Sequence, residues 1–191
     1  MSISCERTVL CRGKKFDFAS VRFRAPSGET VEKQYVAHPG AVVIVPVLEG
    51  GRVAIIRNFR GATGEWEWEF PAGTLDQEGE PPVECARREL IEETGYEAER
   101  MTFLGAYYTT PGLSDELMRA FVGEGLREVG QDLEAGEMIE VVVKGVSEVW
   151  EMVERGELRD GKSITALFLA SARGHVEGPG RFGKEARGHG A

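Results

Sequence analysis

Apolar residues in the first part of the chain follow the two-residue period of β-strands. Residues 16–23 and 30–36 form two such runs on either side of the turn at residues 26–28, and Val9 marks a shorter strand before them. A hairpin of this size buries little surface by itself. The sequence therefore predicts an N-terminal β-hairpin unit over residues 1–38 that packs on its own domain or on a second subunit.

Two continuous apolar segments, residues 41–48 and 52–57, follow and enclose a turn at Glu49-Gly50-Gly51. Runs without polar alternation are typical of strands that are buried on both faces. Residues 65–70 instead alternate strictly, and we interpret Trp66 and Trp68 as core residues rather than as a ligand platform. Further strands are predicted over residues 101–108, 117–122 and 139–143, with a polar loop over residues 123–138.

The apolar positions between Pro82 and Gly95 have helical spacing. Proline suits a first helical turn and glycine a left-handed end, so these two residues mark the limits of a predicted helix. Two more helices are predicted over residues 147–153 and 163–173, and the glycine-rich residues 173–191 read as a disordered tail. One helix before the end of a mixed sheet and two after it predict an α/β/α sandwich over residues 39–172.

The first helix carries Glu89, Glu92 and Glu93 on one side, with Arg88 beside them. Like charges three or four residues apart cost about 0.2–0.5 kcal/mol per pair unless something neutralises them. A hard-oxygen cluster of this kind suits Mg²⁺, and Mn²⁺ as a second choice. The alternative is an ordinary solvated helix face, which is the commoner state of an isolated glutamate-rich helix.

The segment around this helix resembles the Nudix box, G-x5-E-x7-R-E-U-x-E-E-x-G-U, in which U is a bulky apolar residue. The match from the first glutamate onward is complete at Glu80, Arg88, Glu89, Leu90, Glu92, Glu93 and Gly95, with Tyr96 at the last U position. Six residues rather than five separate Gly73 from Glu80, so the glycine-rich loop is one residue longer than the family pattern. The resemblance implies a Nudix-type α/β/α sandwich with a mixed sheet.

The segments on both sides of the box resemble one subgroup, the ADP-ribose pyrophosphatases. Residues 69–73, Glu-Phe-Pro-Ala-Gly, are similar to the lead-in to the box, where the alanine carbonyl is a metal ligand, which implies that role for Ala72. Residues 110–116 are similar to a stretch of the same subgroup. These two likenesses make Glu69, in the first stretch, and Gly112 and Glu116, in the second, candidates for substrate contact, with plain loop charge as the alternative for Glu116.

The resemblance also implies roles for the remaining polar residues. Glu89 and Glu93 are implied metal ligands together with Ala72. Glu92 is a further ligand or a base, and Glu80 binds through water or fixes the loop. Arg88 holds a box glutamate in place. The catalytic base is implied at Glu137, with Glu134 in reserve, and the alternative for each is a solvated loop carboxylate.

Two arginines, Arg57 and Arg60, leave the second central strand just before the glycine-rich loop. A guanidinium group binds phosphate oxygens in a bidentate fork, so both are candidates for substrate contact. The alternative for each is a surface arginine.

These features together predict Mg²⁺-dependent hydrolysis of a nucleoside diphosphate sugar, with ADP-ribose cleaved to AMP and ribose 5-phosphate as the first choice. The alternatives are GDP-mannose or another nucleoside diphosphate derivative, and a module that senses ADP-ribose without cleaving it. The family resemblance further implies a homodimer in which the hairpin unit reaches across to the partner.

Composition narrows the remaining classes of function. The net charge of −9 over 191 residues disfavours a nucleic-acid partner. No apolar run approaches the length of a membrane helix, so no membrane partner is expected. The three cysteines have no metal-type spacing and favour reduced thiols in the cytoplasm.

Overall fold

The structure is a computed structural model that describes residues 3–133 and 135–180. The strands in these residues are β1 (Cys5–Cys11), β2 (Asp17–Arg24), β3 (Thr30–Ala37), β4 (Ala41–Leu48), β5 (Arg52–Arg60), β6 (Glu65–Glu69), β7 (Ala72–Thr74), β8 (Tyr96–Tyr108), β9 (Leu117–Glu128) and β10 (Ile139–Gly145). The helices are α1 (Pro82–Thr94), α2 (Val146–Glu154) and α3 (Gly161–Ala172).

The central sheet has the strand order β10-β5-β4-β9-β8, with β6 paired to β5 and β7 paired to β4. Strands β4 and β9 run parallel, in the register of Val43 with Ala120, while the other pairs are antiparallel. The predicted mixed sheet is therefore confirmed. Strand β9 continues to Glu128, so the loop predicted to start at residue 123 starts only after β9 ends.

Helices cover both faces of this sheet because β4 is apolar on both of its faces. Val43 and Val45 pack toward α2 and α3, in one core that includes Trp150 and Leu167. Val42 and Ile44 pack instead in a second core with residues of α1, among them Leu90. This alternation gives the predicted α/β/α sandwich, and it fixes which side of α1 remains for polar residues.

Helix α1 begins and ends where the sequence predicts. Pro81 is its N-cap residue, Pro82 occupies the first helical position, and Gly95 ends the helix in a left-handed conformation with φ of 72°. The Gly95 N–H donates to the Ile91 carbonyl. Space is also short at this point, because a Cβ atom on Gly95 would lie 2.9 Å from the backbone N of Gln131.

Replacing Gly95 with alanine is therefore expected to lower the free energy of unfolding by about 1–3 kcal/mol, the cost of a residue held in a sparsely populated backbone region. Urea denaturation measures this change. Gly61→Ala is a matched control, because a Cβ atom there meets open space. Equal stabilities of the two variants would contradict the expectation.

The N-terminal unit is a three-stranded antiparallel sheet in the order β1-β2-β3, in which β2 and β3 are the predicted hairpin and β1 is the predicted shorter strand around Val9. It is attached to the domain of its own chain through the loop before β9. The Val36 N–H donates to the Leu113 carbonyl, and the Ser114 hydroxyl donates to the Val36 carbonyl. Strand β1 lies on the outside and is exposed along its whole length.

The start of the predicted disordered tail is packed against the domain, which corrects the sequence prediction for residues 173–180. Val176 contacts the α2–α3 core, and the Trp150 indole N–H donates to the Glu177 carbonyl over 3.0 Å. A single apolar residue such as Val176 in a glycine-rich segment gives no periodic pattern, so the sequence does not predict these contacts. The rest of the predicted tail, residues 181–191, lies outside the described residues. No helix in the described part of the chain is long and apolar enough to cross a membrane.

Candidate active site

The polar side of α1 faces a cleft of about 270 Å³. The residues that line it come from α1, from β5 and β7, and from three loops. The lining includes Arg60, Ala72, Gly73, Arg88, Glu89, Glu92, Glu93 and Glu137. The structure therefore brings together most of the residues for which the sequence predicts catalysis or metal binding. Glu134, the reserve candidate for the base, lies outside the described residues.

Arg88 organises the carboxylates on α1. Its Nη1 donates to Glu89 over 2.7 Å and to Glu92 over 2.8 Å, while its Nε donates to Glu80 over 3.0 Å. The three carboxylates hold the pKa of Arg88 above its ordinary value, and the largest cause is the hydrogen bond that Arg88 donates to Glu80. Glu80 therefore belongs to the site through Arg88, which agrees with a loop-fixing role.

Glu93 lies deepest in the cleft, with only 4% of its surface exposed. Its carboxylate accepts a hydrogen bond of 2.8 Å from the backbone N–H of Ala72, which links α1 directly to β7. Burial raises the pKa of Glu93 to about 8 against the opposing effect of this hydrogen bond, and the charges of Glu89 and Glu137 add to the rise.

Glu89 has the same kind of environment. Burial raises its pKa to about 7, and the negative charges of Glu92 and Glu137 also raise it, whereas the charge of Arg88 lowers it. Gly73 packs against this side chain so closely that a Cβ atom on Gly73 would lie 1.9 Å from the Glu89 Cδ atom. The box therefore needs glycine at this position for a steric reason, namely the approach of Glu89 to the backbone.

Ala72, just before the glycine-rich loop, is held in the central sheet. Residues 72–74 pair with β4 in regular antiparallel register, Ala72 opposite Val43, and the Leu75 N–H donates to the Gly40 carbonyl. Residues 76–79 lie outside this pairing, and Gly79 turns the chain there with φ of 78°. The Ala72 backbone is therefore positioned by its pairing with β4 rather than by the loop.

Within residues 3–133 and 135–180, no three carboxylate, imidazole or thiol groups are already arranged to hold a metal ion. Arg88 Nη1 instead lies within 2.8 Å of oxygen atoms of Glu89 and Glu92. The donor set nevertheless fits a divalent cation. Buried Glu89 and Glu93 repel each other and Glu137, so a cation between them would relieve a cost that raises their pKa.

The predicted substrate contacts separate into two groups. Arg60 lines the cleft, whereas the others are placed elsewhere in the described structure. Arg57 lies over the Trp66 ring, 5.4 Å from its centroid, and pairs with Glu140. Gly112 lines a depression on the N-terminal sheet, and Glu116 accepts a hydrogen bond from Thr109 and faces His38.

Reasoning from the sequence missed three features, namely the ion pairs of Glu69 and the presence of Lys15 and Asn58 in the cleft. Glu69, a predicted substrate contact, is 2% exposed and binds Arg60 and Lys162 through its carboxylate. Lys15, in the turn between β1 and β2, and Asn58, on β5, both line the cleft. Lys14 and Lys15 are visible in the sequence as a pair of cations. The position of Lys15 beside the acidic helix depends on the fold, so the sequence does not predict it.

Comparisons with known proteins agree with this architecture. A NUDIX domain model matches residues 37–172. The ADP-ribose pyrophosphatase of Bacillus subtilis (strain 168) is 35% identical over 157 residues, covering 81% of this chain and 84% of that protein. The ADP-ribose pyrophosphatase of Mycobacterium tuberculosis (strain ATCC 25618 / H37Rv) is 35% identical over 162 residues, covering 84% and 78%.

Two further similarities lie at lower identity. The GDP-mannose pyrophosphatase of Yersinia enterocolitica (serotype O:8 / biotype 1B, strain NCTC 13174 / 8081) is 31% identical over 169 residues, covering 84% of this chain and 87% of that protein. A solved structure of an ADP compounds hydrolase has a TM-score of 0.77 at 24% identity, covers 92% of this chain and 98% of its own, and shares the fold.

The sandwich fold, with an acidic helix that lines a cleft and accepts a hydrogen bond from the Ala72 backbone, defines a class of hydrolases that generally depend on divalent metal ions. The chain belongs to the Nudix family of these enzymes.

Proposed function

We propose that this protein hydrolyses the pyrophosphate bond of a nucleoside diphosphate sugar with Mg²⁺, and that its substrate is ADP-ribose. The products are AMP and ribose 5-phosphate. The observation that carries the proposal is the cleft in which Glu89, Glu93 and Glu137 meet beside the Ala72 backbone. The choice of ADP-ribose is supported by the two relatives named ADP-ribose pyrophosphatase, which align with most of the chain.

The carboxylates of Glu89 and Glu93 and the Ala72 carbonyl would hold the metal, with Glu92 as a further donor. Mg²⁺, or Mn²⁺ as a substitute, supplies charge neutralisation and a more acidic water. Glu137 accepts the proton of the attacking water. Arg60 binds phosphate oxygens at the rim of the cleft. Outside the cleft, Arg57, Gly112 and Glu116 remain proposed contacts for more distant parts of the substrate.

A substrate panel tests the proposal directly. Wild-type protein with Mg²⁺ is incubated with ADP-ribose, GDP-mannose and other nucleoside diphosphate sugars, and the released nucleotides are separated by anion-exchange chromatography. We expect the highest kcat/KM for ADP-ribose, with AMP as the nucleotide product. GDP-mannose is the second candidate because of the Yersinia relative. Saturable binding of ADP-ribose without release of AMP would contradict the proposed reaction.

The stability of the metal-free protein is expected to fall as pH rises from about 5 to about 8.5. The pKa values of Glu89 and Glu93, about 7 and about 8 in the folded chain, lie above the ordinary value of 4.5. The folded chain thus binds these protons more tightly, so their stabilising effect is present below pH 4.5 and is lost as the pH passes the raised values.

Because Mg²⁺ would replace these protons, the rise in melting temperature that it causes should grow over the same pH interval. Calorimetry in EDTA and in Mg²⁺ measures both effects. The variant Glu84→Gln, at an exposed position of the first helical turn, should behave as wild type. A larger Mg²⁺ effect at pH 5 than at pH 8.5 would contradict the assigned donors.

We also propose a homodimer formed through the N-terminal sheet. Val9, Leu10 and Phe18 are about half exposed on this sheet. Strand β1 is an edge strand, a surface that favours pairing with another chain.

Cys5, Cys11 and Cys85 are free thiols, which supports the proposal of a reducing, cytoplasmic setting.

Replacing Val9 with lysine is expected to shift the protein from dimer to monomer, because a charge would have to be desolvated in the interface. Light scattering after size exclusion gives the mass. Thr8→Lys, its exposed neighbour, adds the same charge on the opposite side of the strand. The proposal is wrong if the Val9 variant keeps the mass of a dimer, or if the wild type is already a monomer.

A further inference from the structure

A second cavity, of about 600 Å³, adjoins the acidic cleft and shares Arg60 with it. Its wall is built from the β5–β6 turn on one side and the start of α3 on the other. Lys162 and Asp160, from the start of α3, line this cavity together with Glu69. The two cavities thus meet at Arg60. Glu69, which binds Arg60, lines the larger cavity.

A chain of ion pairs joins Arg60 to α3. The Arg60 Nε donates to Glu69 Oε1 over 2.7 Å, and Lys162 Nζ donates to Glu69 Oε2 over 2.5 Å. Lys162 also donates to Asp160 Oδ2 over 2.9 Å. Glu69 is nearly fully buried and the Lys162 side chain is only 14% exposed, so solvent screens these contacts little.

Lys162 is fixed at both its backbone and its side chain. The Tyr107 hydroxyl donates to the Lys162 carbonyl over 2.8 Å. Asp160 accepts a hydrogen bond of 3.1 Å from the Ser163 N–H as the N-cap of α3, and the Ser163 hydroxyl accepts one of 2.7 Å from the Phe70 N–H. The lysine is therefore held by the same contacts that join α3 to the end of β6.

We propose that Lys162, supported by Asp160, is a positioning residue that acts through Glu69 to hold Arg60 at the rim of the cleft for the substrate diphosphate. The inference rests on the proposed function, in which Arg60 binds phosphate oxygens. A buried carboxylate must be paired. With Lys162 present, Glu69 shares its charge between two cations, so the positive charge of Arg60 is not cancelled by one partner alone.

Loss of Lys162 would leave Arg60 as the remaining cation beside Glu69 in this chain of ion pairs. The guanidinium then neutralises a buried carboxylate and offers less positive potential to an anion in the cleft. Arg60 uses Nε and Nη2 in its pair with Glu69, which leaves the Nη1 amine for phosphate. The expected defect is therefore weaker interaction with a diphosphate, with metal binding intact.

A double-mutant cycle in kcat/KM tests the coupling. Lys162→Met alone is expected to lower kcat/KM about tenfold, in the range of coupling found within one ion-pair network. In the Arg60→Ala background the same change should have little further effect, and Lys162→Arg should recover part of the activity. Arg159→Met is the matched control, because Arg159 lines the same cavity but is 55% exposed and pairs with Glu65 and Glu67. If Lys162→Met lowers kcat/KM as much in the Arg60→Ala background as alone, the proposal is overturned.

Binding of inorganic pyrophosphate separates this proposal from the choice of substrate. Calorimetric titration with pyrophosphate in Mg²⁺ should show about tenfold weaker binding for Lys162→Met and unchanged binding for Arg159→Met, whichever nucleotide sugar is cleaved. Unchanged binding by Lys162→Met would overturn the positioning role even if ADP-ribose is hydrolysed. Should Lys162→Met fail to fold, Asp160→Asn keeps a helix cap and removes the charge that supports the lysine, and its pyrophosphate affinity decides in the same way.

Discussion

Glu93→Gln is expected to lower turnover of the preferred substrate by more than about a hundredfold. Loss of an outer partner of a metal ligand costs about 10–100-fold, and loss of the ligand itself should exceed that. Glu93 is the most buried of the cleft carboxylates, and it is the one that contacts the Ala72 backbone. Glutamine has the same shape and keeps an oxygen that can accept the Ala72 N–H, so the variant removes charge rather than packing.

The same variant should lose most of the stabilisation by Mg²⁺ while remaining folded. Removal of a buried, high-pKa carboxyl group relieves repulsion with Glu89 and Glu137, so its melting temperature in EDTA at pH 8.5 should equal or exceed that of wild type. Steady-state kinetics and calorimetry measure the two effects. Glu84→Gln removes a charge from the exposed side of the same helix and should keep normal turnover. Near-normal hydrolysis by Glu93→Gln would disprove its role as a ligand.

The fold was predictable because its elements are encoded over short distances. The continuous apolar residues of β4 indicate burial on both faces, and in the structure alternate residues of β4 do enter two separate cores. The limits of α1 follow from proline and glycine chemistry that acts within one helical turn. The crowding of carboxylates is likewise local, since it results from spacing on one helix.

The partners of individual side chains were not predictable in the same way. The sequence predicts substrate contact for Glu69, but no local pattern indicates that its carboxylate binds Lys162, 93 positions further along the chain. Arg57 and Arg60 have the same residue type and lie three positions apart, but Arg57 packs over tryptophan rings while Arg60 reaches the cleft. Such choices depend on which elements the fold brings together, and a local pattern contains no information about that.

Glu137→Gln is the second change with a large expected effect, a fall in kcat of about 10²–10⁴-fold, the contribution typical of a positioned general base. Glu137 stands just before β10, lines the cleft, and its charge raises the pKa of both Glu89 and Glu93. The side chain thus lines the same cleft as the proposed metal donors, where it would accept the proton of the attacking water. Glutamine preserves its size but cannot accept the proton.

Metal binding distinguishes this role from that of Glu93. A base that is not a ligand should leave the Mg²⁺-induced rise in melting temperature nearly intact, so Glu137→Gln should combine low kcat with normal stabilisation by metal. Glu140→Gln, three residues further on and exposed on β10, is the matched control and should keep normal kcat. Glu134→Gln should resemble that control if Glu137 is the base. A large loss of kcat in the Glu134 variant together with normal turnover by Glu137→Gln would transfer the role to Glu134, because only the true base limits proton removal from the attacking water.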